Sequence, residues 1–323
     1  MILFTEEDIR KHVNLNAETI QVVEDAFTSL ATKRVEMPPI MRIDIPAYNG
    51  EVDVKSAYVE GLDYFAIKVS TGFFDNFKLG LPSGNGLMML FHSQTGKPEA
   101  LLLDNGYLTD IRTAAAGAVA TKHLARQDAR TVGVIGTGSQ ARYQVQAIAR
   151  VRPIESVLVY GRDEGKAAQY MKDVESHLGV KVERASPEEV VRRSDIVVTT
   201  TPATSPIIKE EWLHDGLHIT AMGSDAEGKQ ELEVGILEKA DLLVCDVKSQ
   251  SRKLGEIHHA LDQEQMMKKA VEIGEITAGR MKGRVTNEEI TVCDLTGTGV
   301  QDTAIALYTY NILKEKKARA SIH

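Results

Sequence analysis

The stretch Thr131–Tyr143, T-V-G-V-I-G-T-G-S-Q-A-R-Y, limits the folds open to this chain more than any other. An apolar run, Val132 to Ile135, reads as a strand. It breaks at Gly136 and Gly138, passes the small Ala141, and continues as a helical pattern. Each small residue has a mechanical reason. Gly136 allows a tight turn, Gly138 lets a pyrophosphate approach the backbone, and Ala141 lets the helix lie close on the strand. The helix start then offers N–H groups and a positive dipole end to phosphates. Gly136, Thr137, Gly138, Ser139, Gln140 and Ala141 are therefore expected to cradle a dinucleotide.

The context repeats strand and helix in the same order. Ser156 to Tyr160 reads as a second strand. It ends at Gly161-Arg162-Asp163, where such folds meet the adenosine ribose. Further strands are expected at Asp195–Thr201, Leu217–Met222, Leu242–Cys245 and Ile290–Cys293, with a helix opening at Ser186-Pro187-Glu188-Glu189. Ligands of open α/β sheets sit at the carboxyl ends of the strands. Thr201, Gly223, Ser224, Asp225, Thr296 and Gly297 are thus candidates for one crevice. The expected fold is α/β: a Rossmann-type doubly wound parallel sheet over 119–297, plus a smaller α+β domain made of 1–118 and 298–323.

The smaller domain reads differently. Thr5 and Asn16 look like helix caps. From residue 40 the pattern alternates with a period of two, at Ile40–Ile45, Val52–Tyr58, Phe65–Val69, Leu87–Phe91 and Glu99–Asp104, which predicts an antiparallel sheet. Asp110-Ile111-Arg112-Thr113 is expected to open a thin helix of small residues. Arg112 in a first turn opposes the helix dipole, which suggests service to a bound anion; a surface ion pair is the plainer reading. Gly299 to Leu313 reads as a helix returning to this domain, followed by a frayed basic tail, Lys314 to His323.

A net charge of −8 disfavours nucleic acid or an anionic membrane as general partner. The N-terminus carries no long apolar segment, so neither a signal peptide nor a membrane span is expected, and the cytoplasm is the default compartment. Cys245 and Cys293 stand in apolar runs and read as buried thiols. His258-His259 lacks partners for a ligand set, so no metal is expected.

Several of these motifs together resemble the ornithine cyclodeaminase and mu-crystallin family over nearly the whole chain. The carriers are Met37-Pro38-Pro39, Lys68 in F-A-I-K-V-S, Arg112 in D-I-R-T-A-A-A-G, the glycine fingerprint, Thr199 to Pro202, M-G-S-D-A-E-G-K-Q-E-L at Met222–Leu232, and D-L-T-G-T-G-V-Q-D at Asp294–Asp302. Arg42 to Pro46, Gly50 to Val59 and Gly72 to Asn76 further resemble the ectoine-utilisation C and iminosuccinate reductase subgroup. The resemblance implies a nicotinamide cofactor, NAD(H) or NADP(H) with a lean to NAD(H). It also implies a homodimer built on the N-terminal sheet domain, and a small amino or imino acid as ligand. Arg42, Lys68 and Arg112 match the family's carboxylate-binding and polarising positions. Asp225 matches its catalytic aspartate, although a helix cap is the plainer reading of such a residue. Thr113, Arg162, Thr200 and Met222 join the cofactor set.

Asp53 and Lys55 share a sheet face by alternation. A surface ion pair is one reading. The other is that Asp53 positions the substrate amine while Lys55 meets a second substrate carboxylate. The expected reaction is reduction of an α-imino acid to an L-amino acid, with iminosuccinate to L-aspartate as the named case. Ornithine cyclodeamination, alanine dehydrogenase or ketimine reductase activity are the enzymatic alternatives, and a mu-crystallin-like cofactor-binding protein the non-enzymatic one.

Overall fold

The computed structural model describes residues 1–320; Ser321 to His323 lie outside the described residues. The chain forms two compact units. One comprises Met1–Arg112 and the segment from Thr298 onward, and the other Thr113–Gly297.

The first unit opens with β1 (Ile2–Thr5) and the helices α1 (Glu6–Arg10) and α2 (Ala17–Thr32). Thr5 and Asn16 cap these helices with capping boxes, in which the cap side chain accepts the N–H three residues on. The strands β2 (Val35–Glu36), β3 (Met41–Ile45), β4 (Gly50–Val59), β5 (Tyr64–Phe73), β6 (Gly84–His92) and β7 (Pro98–Leu103) follow. The sheet runs β1-β7-β6-β5-β4-β2, with β3 also on β4. It is antiparallel as expected except at β1, which lies parallel to β7. That short leading strand carries too little alternation to be read from sequence.

Alternation sends one side of the sheet inward: Ala57 and Val59 of β4, Ala66 of β5, Met88 and Leu90 of β6, Ala100 and Leu102 of β7. The C-terminal helix, Gly299–Ala320, covers this face. Its start touches the sheet directly: a Cβ on Gly299 would lie 2.2 Å from the Ser56 carbonyl oxygen. The Thr303 hydroxyl donates to the Ala57 carbonyl (2.8 Å) and accepts the Ala66 N–H (3.1 Å), tying the helix to two strands. The helix runs past Leu313 to Ala320, so the described part of the expected frayed tail is helical. Its run of Lys and Glu is compatible with helix through good intrinsic propensity.

The chain enters the second unit within α3 (Tyr107–Leu124). This unit holds β8 (Thr131–Ile135), α4 (Ser139–Ile148), β9 (Ser156–Tyr160), α5 (Glu164–Leu178), β10 (Lys181–Arg184), α6 (Pro187–Arg193), β11 (Ile196–Thr199), β12 (Thr204–Ile208), β13 (His218–Ala221), β14 (Gln230–Leu232), β15 (Leu242–Cys245), β16 (Val271–Glu272) and β17 (Thr291–Asp294). Eight strands form one parallel sheet in the order β10-β9-β8-β11-β13-β17-β15-β16. The order reverses around β8, which pairs with β9 on one side and β11 on the other. A small parallel pair, β12 and β14, stands outside the sheet. Both faces of the large sheet are buried: Val132, Val134 and Val198 pack with Ala141, Val145 and Tyr170, while Ile135, Val197, Ile219 and Val292 pack with Val190 and Leu237. This is the near-continuous apolar strand pattern of a doubly wound sheet. Cys245 and Cys293 are buried free thiols within it. Among the described residues, no helix is long and apolar enough to cross a membrane.

Candidate active site

In the second unit, the glycine turn sits at the reversal point of the sheet. Gly136 has φ +123°, a backbone state that side chains rarely adopt, and a Cβ there would lie 2.5 Å from the Thr200 hydroxyl. Thr200 is itself at the end of β11, with its hydroxyl donating to the Ile135 carbonyl. So the ends of β8 and β11 meet at the turn through a glycine that leaves no room for substitution. Gly138 caps α4 without a side-chain hydrogen bond, and a Cβ on it would meet nothing within 4 Å. Ala141 is fully buried, and its carbonyl accepts the Tyr170 hydroxyl (3.1 Å). The Arg142 guanidinium donates to the carbonyls of Thr137 (2.6 Å) and Gly138 (3.1 Å) and pairs with Asp173, which holds the turn from outside. The open Gly138 position and uncapped α4 start fit a pyrophosphate. Gly136→Ala is expected to weaken NADH binding about 10-fold or more, since the turn must strain or move by roughly 1–3 kcal/mol. A fluorescence titration with unchanged affinity would show that this turn holds no dinucleotide.

At the end of β9, a Cβ on Gly161 would lie 2.5 Å from the Thr137 methyl, so this position admits no acidic side chain. Arg162 is exposed, and Asp163 is occupied as the cap of α5, accepting the Lys166 N–H at 2.8 Å. Any reach of Asp163 toward the adenosine ribose thus competes with this helix cap. Thr113 lies in α3, and its carbonyl accepts from the Gln144 amide of α4 (3.0 Å).

Thr201, Met222, Gly223, Ser224, Thr296 and Gly297 all follow strand ends on the same edge of the sheet, because β11, β13 and β17 are parallel neighbours. Thr296 and Gly297 are held by the buried Asp246, which accepts both N–H groups at 2.8 Å. Asp225 does not sit directly at a strand end. It lies in the loop after β13, half-exposed, with Oδ1 2.7 Å from Lys229 Nζ. It is not the cap of a following helix, since β14 follows.

Sequence reasoning passed over a buried acid beside these residues, Glu231. Its Oε1 accepts the Thr201 N–H (2.6 Å) and hydroxyl (2.8 Å), and its Oε2 accepts the Gly223 N–H (2.9 Å). Burial pushes its carboxyl up to about 7, against the pull of those donors. The signal was a Glu within the short run Gln230–Leu232, next to apolar positions where an exposed acid would be out of place.

The first unit carries the cations. Register sets them on one face: Arg42 is opposite Asp53, Asp53 opposite Ser70, and Lys55 directly opposite Lys68. Lys55 is 6 % exposed, Lys68 1 % and Arg112 5 %, so the surface ion-pair reading is excluded for Lys55 and Arg112. Like charges directly opposite across a sheet repel and are normally avoided. Asp302, from the C-terminal helix, has its Oδ1 3.1 Å from Lys68 Nζ and 3.0 Å from Arg112 Nε. Burial, then the Arg112 charge, lowers Lys68 to about 7, with Lys55 adding to the fall and Asp302 opposing it. Asp104, just after β7, is buried too; burial raises it to about 6, and its Oδ2 accepts the Leu108 N–H (2.8 Å).

One expectation is corrected here. The helix bearing Arg112 begins at Tyr107, not Asp110, so Arg112 is in its second turn and Thr113 beyond it. The dipole argument for Arg112 therefore falls, and what remains is its burial against Asp302. Arg42 is partly exposed and engaged by Asp44 (2.9 Å), Glu51 (2.6 Å) and Asp53 (3.7 Å), apart from the three buried cations in its pairing. Neither Asp302 nor Asp104 was singled out from sequence, because their burial depends on contacts distant along the chain.

With this geometry in hand, comparison with known proteins places the chain. The family model described as the ornithine cyclodeaminase/mu-crystallin family matches residues 1–317. The chain belongs to that family. A Rhizobium meliloti protein named only broadly, as a dehydrogenase, is 51% identical over 313 residues, covering 96% of this chain and 95% of that one. Among solved structures, Thermococcus litoralis Delta(1)-pyrroline-2-carboxylate reductase in complex with NADH and L-proline superposes with TM-score 0.89 at 33% identity, covering 98% of each chain. Paracoccus denitrificans iminosuccinate reductase in complex with NAD+ superposes with TM-score 0.88 at 29% identity, covering 98% of this chain and 97% of that one.

Proposed function

We propose that this protein is an NAD(H)-dependent imine reductase that converts an α-imino acid bearing two carboxylates into an L-amino acid, iminosuccinate to L-aspartate being the case in point. The observation that carries this reading is the buried cross-strand pair Lys55–Lys68 beside Arg112. Lys55 and Lys68 share a buried sheet face, Arg112 and Lys68 are held by Asp302, and a dianionic substrate is the ligand whose charge suits such a site. Bound NADH supplies the hydride for the imine carbon. Arg112 grips the α-carboxylate, for which a guanidinium suits best. Lys55 meets the second carboxylate. Lys68 donates a proton to the imine nitrogen as the C=N bond becomes C–N, which a lysine near 7 can do at neutral pH. Asp53 is assigned to the substrate nitrogen and Arg42 to orienting it, while Asp225 keeps the role the family resemblance gives its aspartate, on the substrate amine or on water. The glycine turn with Thr113, Arg162, Thr200, Thr201, Met222–Ser224, Thr296 and Gly297 serves the cofactor. The NADH and NAD+ complexes of the two relatives support NAD(H). The second face of the first unit's sheet is half-exposed and apolar, with Phe65 stacked on Phe91, and is the surface assigned to a homodimer.

The test follows absorbance at 340 nm with oxaloacetate, ammonia and NADH or NADPH, beside ornithine with NAD assayed for proline. Cofactor consumption with aspartate formed is expected. Proline and ammonia without net cofactor change would replace the proposal with cyclodeamination. Lys55→Ala should lower kcat/KM for the dicarboxylate imine about 10- to 100-fold, the value of a lost charge-assisted contact, and leave a monocarboxylate imine nearly unaffected. Equal losses on both substrates would remove Lys55 from the second-carboxylate role.

A further inference from the structure

We propose that Glu231 is a positioning residue that locks together the loops after β11 and β13, so that the nicotinamide half of the cofactor meets a preset surface. The inference rests on the dinucleotide reading above and concerns a residue that touches the site only through Thr201 and Gly223.

One carboxylate spans two adjacent strand ends. The Thr201 N–H and hydroxyl bind one oxygen, and the Gly223 N–H binds the other. Gly223 is a glycine because of this closeness: a Cβ there would lie 2.2 Å from the Thr201 carbonyl oxygen and 2.5 Å from Glu231 Oε2. Glu231 also closes the base of the loop that carries Ser224 and Asp225. Within that loop the Ser224 hydroxyl donates to the Lys229 carbonyl (2.5 Å), and Lys229 pairs with Asp225. The base of the loop is thus pinned at Gly223 and Glu231, with Asp225 between them.

The glutamate is braced from behind. Its own N–H and that of Leu232 donate to the buried Glu256 (2.8 and 3.1 Å). The N–H groups of Glu256 and Ile257 in turn donate to the buried Asp294 at the end of β17 (3.1 and 3.0 Å). Each acid fixes the backbone of the next, from β17 back to β11. Backbone N–H groups occupy these carboxylates, and no group of three or more His, Cys, Asp or Glu among the described residues could hold a metal ion. In a doubly wound sheet the strands on the β9 side of the reversal serve the adenosine half, and those on the β11 side serve the other. Glu231 therefore acts on one half of the dinucleotide.

That asymmetry supplies the test. Glu231→Gln keeps size, but one amide corner is an NH2 and faces a backbone N–H, so one side of the lock is lost. The variant and wild type are titrated with NADH and with ADP-ribose, which lacks nicotinamide. The expected result is a loss of about 10- to 100-fold in NADH affinity with ADP-ribose affinity unchanged. Equal loss for both ligands, or loss for neither, overturns the positioning role. Wild-type protein that binds neither ligand would instead overturn the dinucleotide reading. If Glu231→Gln does not fold, Glu231→Asp retains the charge but is one methylene short of spanning both strand ends. The same NADH-selective loss is expected of it, and wild-type affinity for NADH would overturn the proposal.

Discussion

Lys68→Met is expected to reduce kcat for imine reduction about 100- to 10,000-fold while the protein still folds and binds NADH. Methionine fills much the same buried space without the proton. The wild-type pH dependence carries a second, independent check. The profile of kcat/KM reports the free enzyme, where burial and the Arg112 charge have lowered Lys68 to about 7. The lysine donates only when protonated, so kcat/KM should fall as pH rises through about 7. Binding a dianion next to Lys68 favours its charged form, so the alkaline limb of kcat should lie at higher pH than that of kcat/KM. Stopped-flow rates across about pH 6 to 9 would decide it. Two limbs at the same pH, or a Lys68→Met enzyme with near-normal turnover, would take the proton-donor role away from Lys68.

Asp302→Asn should cost about 3–5 kcal/mol of stability, the penalty for leaving buried charge unpaired. Asp302 is fully buried between Lys68 and Arg112, and the substitution keeps its shape while removing the counter-charge. The pH dependence follows from linkage. Lys68 is lowered in the fold relative to 10.5 when unfolded, so the unfolded chain holds more protons between about 7 and 10.5, and stability rises with pH across that window. Losing Asp302 lowers Lys68 further and extends the window downward. The added loss attached to Lys68 is therefore absent above about pH 7 and grows as pH falls below it, on top of a constant part from Arg112. Urea unfolding at about pH 6 and about pH 8.5 would measure both parts. A loss no larger at the lower pH would mean that Asp302 does not hold the Lys68 proton.

Local pattern determined much of this protein. Gly136, Gly138 and Ala141 announced a strand–turn–helix, because close backbone approach admits only small residues. The strands Ser156–Tyr160 and Leu242–Cys245 were legible to the residue, since a sheet buried on both faces demands unbroken apolar runs. Thr5, Asn16 and Ser186 announced their helices through capping chemistry within a few residues. Alternation placed Asp53 and Lys55 on one face, but it could not say whether that face met water or a helix. The C-terminal helix, more than 200 residues away along the chain, decided that by covering the sheet. The same packing made Arg112 a buried partner of Asp302, while the register of β4 on β5 set Lys55 opposite Lys68. Glu231 became a lock only when parallel strands brought Thr201 and Gly223 side by side. Short-range geometry is written in the sequence because each residue constrains its near neighbours. Burial, and with it the chemistry of a charged side chain, is decided by whichever distant segment excludes the water.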